Sequence, residues 1–379
     1  MGYAISAMIQ AFVPKDRLTA LMGDFSVRSV SLATITGSLS SSCSFAALAA
    51  ARTLFAKGAH FVATVAFMFA STNLVIELGV LILIFLGWQF LVAELIGGLV
   101  LIALSAILIR LTLPSAMADR ARETAKQETQ VETEAFNWRE KIGSRAGWRE
   151  VGDNFFGEWG MVWKEILFGF TVAGFIAVLV PKEFWEAIFL SKDAGDAQAG
   201  FLVVLQNAMV APFVAAATFI GSMGNIPLAT VLQANGVLFA GIMGFIYSDL
   251  MVPPLVKVNA KYYGLVPALY IAGIMYVSIV LTAIILHYGF AFVGATPEGG
   301  SAIAGGPKFA FDYTFYLNLA AFGVVALMWR LKKLAGAAGD DPHAHHDHGG
   351  GVDLQSIVTG AAAFALAGGG ILMAATAVL

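Results

Sequence analysis

The stretch Gly37–Ser44, GSLSSSCS, interrupts an apolar segment that runs from residue 28 to residue 57. A second apolar segment, residues 200–235, is interrupted in the same way by Gly221–Asn225, GSMGN. Backbone groups that leave a helix inside a lipid bilayer are tolerated only where protein shields them or where they line a watery cavity. In a membrane protein, the two segments therefore predict re-entrant helical hairpins whose tips approach the bilayer centre.

The composition indicates that the chain lies in a membrane. Of its 379 residues, 59% are hydrophobic and 12% are charged, and the mean hydropathy is +0.79. Soluble domains carry about 25% charged residues. We therefore predict an all-α polytopic membrane protein, with the lipid bilayer as its first partner.

The two interrupted segments belong to a duplicated sequence. FMFAST at 67–72 matches FIYSDL at 245–250, and Gly58 matches Gly236, both at an offset of 178 residues. Earlier in each half, an apolar run ends in Val-Pro-Lys-acid, at Pro14 and again at Pro181. Duplicated apolar segments interrupted by small and polar residues are typical of transporters built from two structural repeats.

Charge placement predicts that the two repeats are inverted. If each hairpin returns to the side from which it entered, the first repeat has three crossings and the second starts from the opposite side. The basic residues of 15–57, of the linker 113–160, and of 257–261 and 330–333 then share one side. Cytoplasmic loops carry an excess of Lys and Arg. We therefore predict a multi-pass plasma (inner) membrane protein with a cytoplasmic linker.

These patterns divide the chain into four parts. We predict a first membrane repeat at 1–112, an interfacial amphipathic linker at 113–160 and a second membrane repeat at 161–290. The last part, 291–379, adds two transmembrane helices, at about 312–333 and 354–378, joined by a cytoplasmic His-rich loop at 340–351.

Polar side chains at the two hairpin tips predict a substrate site. Ser42, Cys43 and Ser44 would meet Gly224 and Asn225 across the pseudo-symmetry axis. Polar residues inside membrane segments are costly and usually face a cavity or a partner. The alternative is that the serines only bond back to carbonyl groups of their own helix.

Two intramembrane carboxylates are candidates for proton coupling. Asn73 and Glu77 are four residues apart, so on one helix they would share a face, and Asp249 stands at the matching place in the second repeat. Burial penalises the charged form of a carboxylate and so favours proton uptake. We predict that Glu77 and Asp249 exchange protons and that Asn73 contacts the substrate; a capping or structural role is the alternative.

A third polar cluster lies near the C-terminus. His343, His345, His346 and His348 stand among acidic residues in the tract DDPHAHHDH, at 340–348. Imidazole and carboxylate groups at this density can bind divalent metals. A solvated spacer is the alternative interpretation.

Missing motifs limit the function. The chain has no GxxxxGK[ST] phosphate loop and no dinucleotide fingerprint, so we predict neither an ATPase nor an enzyme, and no cofactor. The net charge of −3 indicates no nucleic-acid partner. The expected partners are a small-molecule or ion substrate and, in a homo-oligomer, further copies of the chain.

Five short stretches resemble the ArsP-type predicted permeases. They are SSCS at 41–44, TLFAKG at 53–58, FMFASTNLVIELG at 67–79, GNIPLA at 224–229 and YSDL at 247–250. The resemblance covers most of residues 1–290 and implies a multi-pass inner-membrane permease. Some relatives are implicated in export of trivalent organoarsenicals. Many of them carry Cys-x-Cys at the first hairpin tip, where this chain has Ser41 and Cys43.

The sequence thus favours a secondary permease that moves a small solute between the two hairpin tips. The resemblance implies efflux, with a trivalent organoarsenical as the solute. Two alternatives stay open. One is a divalent-metal transporter that uses the His-rich loop, and the other is a membrane scaffold or accessory subunit whose linker recruits a partner.

Overall fold

The computed structural model describes residues 7–8, 22–40, 44–127, 138–189, 199–218, 221–297 and 323. Within these ranges the chain is helical and contains no β-strand, which confirms the all-α prediction. The two predicted C-terminal helices and the His-rich loop lie outside the described residues.

The helices that the structure describes follow one another with short connections. In chain order they are α1 (Val27–Ser40), α2 (Ser44–Ala56), α3 (Phe61–Asn73), α4 (Ile76–Phe85), α5 (Trp88–Thr112), α6 (Ser115–Gln127), α7 (Trp138–Gly143), α8 (Arg145–Leu179), α9 (Lys182–Phe189), α10 (Phe201–Thr218), α11 (Ser222–Ala234), α12 (Phe239–Ile246), α13 (Pro253–Tyr263) and α14 (Leu265–Val293). A single 3₁₀ turn, Asp249–Met251, separates α12 from α13.

Helices of the two halves begin and end at corresponding positions. Helices α2 and α11 both have 13 residues and lie 178 residues apart along the chain. The same offset relates the first residues of α3 and α12. Gly58 and Gly236, which precede α3 and α12, both have positive φ, at 119° and 82°. The backbone therefore repeats the duplication seen in the sequence.

Helices α5 and α14 are repeat equivalents that pack against each other. Gly97 of α5 lies against Leu286 of α14. Farther along α5, Ser105 donates a hydrogen bond of 2.9 Å to Ser278, and Thr112 pairs with Tyr270 at 2.7 Å. Along this series of contacts the residue numbers rise in α5 and fall in α14, so the two helices run antiparallel.

The apolar run 59–86 of the first half is broken. In the first half α3 and α4 meet at a bend of 41°. Ser71, Thr72 and Asn73 bond back to carbonyl groups of their own helix, and such bonds compete with the helix ladder and bend it. The prediction that Asn73 and Glu77 share one helix face is therefore wrong, because Asn73 ends α3 and Glu77 lies in the first turn of α4.

Three helices in the described part are long and apolar enough to cross a membrane. They are α5, α10 and α14, and the bent pair α3 and α4 together makes a fourth candidate. Helix α5 has 25 residues, or about 37 Å, against a hydrocarbon core of about 30 Å. Large apolar side chains such as Phe292 (94% exposed) and Leu202 (76% exposed) point outward, as a lipid-facing surface requires.

Helix α6, the first part of the predicted linker, is tied to the membrane helices by Arg122. Its guanidinium group donates to the carbonyl oxygens of Phe55 (2.7 Å) and Ala59 (2.9 Å), at the C-terminal end of α2. It also lies 4.3 Å from the centre of the Phe55 ring. Beyond α7, one continuous helix, α8, runs through residue 160, so the predicted linker and second repeat share an element.

His60 links the Arg122 contact to the start of α3. Its Nδ1 accepts a hydrogen bond from the Val62 amide and so caps α3. Burial, and then the nearby Arg122 charge, lower the pKa of His60 below its ordinary value of 6.5. The folded protein therefore binds fewer protons at this site than the unfolded chain at mildly acidic pH.

We expect acid to destabilise the protein through His60. Stability that depends on neutral His60 is present above pH 6.5 and is lost as the pH falls through the lower folded pKa. The His60→Asn variant still has a side chain that can cap a helix, but it cannot take up a proton. The loss of stability that protonation of His60 causes at low pH should therefore be absent in this variant. Thermal unfolding in detergent between pH 8 and pH 5 measures it, and identical pH profiles for the two proteins would contradict the assignment.

Helices α8 and α11 cross at a pair of glycines. A Cβ added to Gly169 would collide with the backbone of Gly224, whereas one added to Gly174, on the same helix, meets nothing within 4 Å. We expect Gly169→Ala to lower the free energy of unfolding by about 1–3 kcal/mol, because the crossing cannot take a methyl group. Gly174→Ala is the matched control and should be neutral or slightly stabilising, since alanine favours helix. Equal melting temperatures of the two variants would refute this.

Candidate functional site

The two predicted hairpins meet at a buried carboxylate. Ser44 Oγ donates a hydrogen bond of 3.1 Å to Asp249 Oδ2, and Ser222 Oγ donates one of 2.6 Å to the same oxygen. The two hydroxyl oxygens are 3.1 Å apart. Ser44 and Ser222 differ by the repeat offset of 178 residues, so equivalent positions of the two halves touch each other here.

Helix geometry explains why a carboxylate is stable at this point. Ser222 is the first residue of α11, with Gly221 as its N-cap. The N-terminus of a helix carries a partial positive charge and free backbone amides. This helix end and Ser44 of α2 converge on Asp249, which the 3₁₀ turn Asp249–Met251 holds between α12 and α13.

Asp249 has no basic counterpart in the described part of the chain. The side chain is 0% exposed, and the salt bridges found there involve other residues, among them Lys141 with Glu150 and Lys182 with Glu186. Its negative charge therefore depends on hydroxyl donors and a helix end rather than on an ion pair. Such a carboxylate is sensitive to any movement of the hairpins.

The first turn of α11 supplies two further predicted residues. Gly224 makes the close backbone contact with Gly169 of α8, so a packing constraint explains this glycine. Asn225 is 0% exposed, and neither atom of its side-chain amide has a hydrogen-bond partner among the described residues. A buried amide without partners is unusual, and it leaves Asn225 able to bind a polar solute.

The other predicted site residues are less closely joined to Asp249. Asn73 is buried, and its amide nitrogen bonds to the Phe69 carbonyl oxygen and to Thr72 within α3. Glu77 is half-buried in the first turn of α4, a helix that packs against α11. Of the predicted substrate residues that the structure describes, Ser44 donates a hydrogen bond to Asp249.

Several predicted residues lie outside the described ranges. They are Ser42 and Cys43 at the first hairpin tip, and His343, His345, His346 and His348 of the His-rich loop. Within the residues that the structure does describe, no group of three or more His, Cys, Asp or Glu side chains could hold a metal ion. The predicted metal site is not tested.

Comparison with known proteins gives the function class. The model of the ArsP_1 family, described as a predicted permease, matches residues 1–288. The chain belongs to this family. A protein of Mycobacterium tuberculosis (strain ATCC 25618 / H37Rv) named "Putative permease Rv2963" is 33% identical over 354 residues, which cover 89% of this chain and 86% of the relative. No solved structure matches.

Membership of the ArsP_1 family confirms the resemblance drawn from the sequence and supports membrane transport as the function. The relatives carry permease names without a stated solute. What this permease transports must therefore be argued from its own residues.

Two residues of this centre also stand out in the sequence. Ser222 belongs to the polar groups that the sequence places opposite the first hairpin tip, and Glu94 is the one acid within the apolar run of α5, where the sequence predicts a further buried acid or a helix contact. Tyr247, whose hydroxyl group donates to the carbonyl oxygens of Ala93 and Glu94, gave no such signal, since tyrosine is common in membrane helices.

A cavity of about 500 Å³ lies away from this centre. Its lining joins the turn between α4 and α5 to the end of α14, and includes Gly87, Trp88, Gln89, Gln233 and Thr296. Gln233 is eleven residues beyond Ser222 on α11, or about 16 Å along the helix axis. Helix α11 therefore connects the cavity to the carboxylate centre.

We expect Ser222→Ala to destabilise the permease by about 1–3 kcal/mol, because it removes a buried donor to a charged acceptor. Ser71→Ala is the matched control: Ser71 is also buried, but its hydroxyl only returns to the Phe67 carbonyl oxygen of its own helix. The control should change stability by less than Ser222→Ala. Thermal unfolding in detergent compares them, and an equal or larger loss for the control would contradict the bridging role of Ser222.

Proposed function

We propose that this protein is a secondary permease of the plasma membrane that exports a small solute by alternating access between its two halves. The observation that carries the proposal is the shared hydrogen bonding of Asp249 by Ser44 and Ser222. A polar junction between repeat-equivalent residues, inside an apolar helical bundle, is the kind of site that transporters with internal repeats use.

The proposed architecture has inverted repeats with re-entrant hairpins. The antiparallel packing of α5 against α14 supports inversion, because these helices are repeat equivalents. The length of α11, 13 residues, supports re-entry, since about 20 Å of helix is too short to cross about 30 Å of hydrocarbon. The linker and the His-rich loop would then both be cytoplasmic.

In this mechanism Asp249 controls the junction. While it is charged, it holds α2 and α11 together through the two serines. A proton on Asp249 removes one of its acceptor sites and the attraction to the N-terminus of α11. The hairpins can then separate and let solute enter or leave, with Glu77 as a second proton-exchanging carboxylate near α11.

The solute that we propose is a neutral, trivalent organoarsenical. Its hydroxyl groups could bond to Ser42, Ser44 and Asn225, and its soft arsenic atom suits the Cys43 thiol. The Asp249 carboxylate cancels the partial positive charge of the α11 N-terminus, so this site would bind a free anion weakly. Contact of the solute with Asn73 follows from the buried polar position of this residue, and export as the direction follows from the family resemblance.

We expect cells that express the permease to accumulate less of a trivalent methylated arsenical than cells without the gene. Arsenate and divalent metal ions, measured in parallel, should be unaffected. Asp249→Asn should abolish the difference, because it removes the charge that closes the junction. Protection confined to metal ions would instead favour the divalent-metal alternative. Equal accumulation of every solute with and without the gene would refute the permease.

We also expect a disulfide between the hairpins to stop transport. Cys43 is the chain's one cysteine, so Cys43→Ser gives a cysteine-free background into which Ser44→Cys and Ser222→Cys are introduced together. Oxidation should cross-link α2 to α11 and halt export of any solute that the background still carries, and reduction should restore it. The two single-cysteine variants are the controls. Unchanged transport in the fully cross-linked protein would contradict alternating access at this junction.

A further inference from the structure

Glu94 is a second carboxylate at the centre of the permease, and the mechanism above does not use it. It is the seventh residue of α5, about 9 Å along the axis from the start of the helix. Its side chain is 1% exposed. An acid at this depth in a membrane helix is costly and usually has a functional reason.

The carboxyl group of Glu94 lacks the donors that Asp249 has. Neither of its oxygens accepts a hydrogen bond within the described ranges. The Tyr247 hydroxyl donates to the main-chain carbonyl oxygens of Ala93 (3.0 Å) and Glu94 (3.3 Å), and it also lies beside the Glu94 carboxyl group. Its single proton is therefore shared among three possible acceptors. A charged carboxylate in this place would be both desolvated and unsatisfied.

Asp249 adds a like charge. It follows Tyr247 by two residues, and the Tyr247 hydroxyl is bonded to the main chain of Ala93 and Glu94, so Asp249 lies next to the same turn of α5. Two neighbouring carboxylates without a basic partner do not both ionise; the one in the more polar surroundings keeps its charge and the other holds a proton. Asp249 has two serine donors and the N-terminus of α11, so the proton belongs on Glu94.

The elements around α5 offer no competing charge for Glu94. Helix α3 carries no titratable side chain, and α4 contributes Glu77. The end of α12 contributes Tyr247, and the 3₁₀ turn contributes Asp249. Near this level α14 contributes His287, which is 2% exposed. None of these is a lysine or an arginine that would stabilise a charged Glu94.

We propose that Glu94 is the resident proton carrier of the permease. In the closed state its carboxyl group holds one proton and Asp249 is the carboxylate. When the hairpins separate, Asp249 loses its serine donors and takes up that proton, and the Glu94 carboxylate that remains takes up a new proton from water entering between the halves. When the hairpins close again, Asp249 releases its proton to water on the other side, so one proton enters and one leaves in each cycle. No reactant other than water is needed, because one O–H bond breaks on Glu94 and one forms on Asp249 in the transfer between them. This inference rests on the proposed permease function.

The protonated state can be tested without any solute. Infrared spectra of the purified protein in lipid should contain the C=O stretching band of a buried carboxylic acid at neutral pH. The band should be lost in Glu94→Gln and kept in Glu150→Gln. Glu150 is a matched control, since it is partly exposed and ion-paired with Lys141 at 2.6 Å. A band that persists in Glu94→Gln would overturn the proposal.

The transport role is tested in proteoliposomes with a trivalent methylated arsenical as the probe. Glu94→Gln, which mimics the protonated acid, should still exchange labelled for unlabelled probe but lose transport driven by a pH gradient. Glu94→Asp, which can titrate, should restore pH-driven transport. Full pH-driven transport by a folded Glu94→Gln protein would refute the carrier role. If the wild-type protein moves no probe, the proposed function fails on its own, and the infrared result still decides whether Glu94 holds a proton.

Discussion

A buried carboxylate that lacks a basic partner is the constraint on which this structure depends. Asp249 is fully enclosed, and its charged form is affordable only if hydrogen-bond donors replace the lost water. The donors come from one serine on each half of the chain. A local electrostatic requirement therefore joins two segments that are 178 residues apart, and it fixes how the ends of α2 and α11 approach each other.

The rest of the fold provides the conditions for this junction. Helices α2 and α11 must bring Ser44 and Ser222 to Asp249, and the helices around them must pack closely, so that lipid stays out. The Gly169–Gly224 contact meets the second need, because small residues let helix backbones approach in a membrane, where no hydrophobic force acts between helices. The antiparallel pair α5 and α14 supplies a long scaffold beside the junction, with Ser105 and Ser278 bonded across it.

The sequence could predict those features that depend on where a residue stands in the repeat. It could not predict those that depend on which groups surround the residue in three dimensions. The contact between Ser44 and Ser222 follows from the offset of 178 residues, whereas the re-entrant hairpins stay a prediction. The Asn73–Glu77 prediction failed, because three consecutive side chains bond back to α3 and end it, which spacing alone does not reveal. The importance of Glu94 depends on how few hydrogen-bond donors surround its carboxyl group. Only the three-dimensional contacts reveal this.

Serine suits a junction that must open repeatedly. A lysine or arginine in place of Ser44 or Ser222 would form a buried ion pair with Asp249, and separating such a pair leaves an uncompensated charge that costs about 3–5 kcal/mol. A serine hydroxyl is neutral, so when the hairpins separate it leaves no uncompensated charge behind, and water or the solute can replace the carboxylate as its hydrogen-bond partner. The remaining cost falls on Asp249 alone, and one proton removes it. A carboxylate bridged by hydroxyl groups, with a second carboxyl group nearby to supply the proton, is thus a junction that can open at low cost.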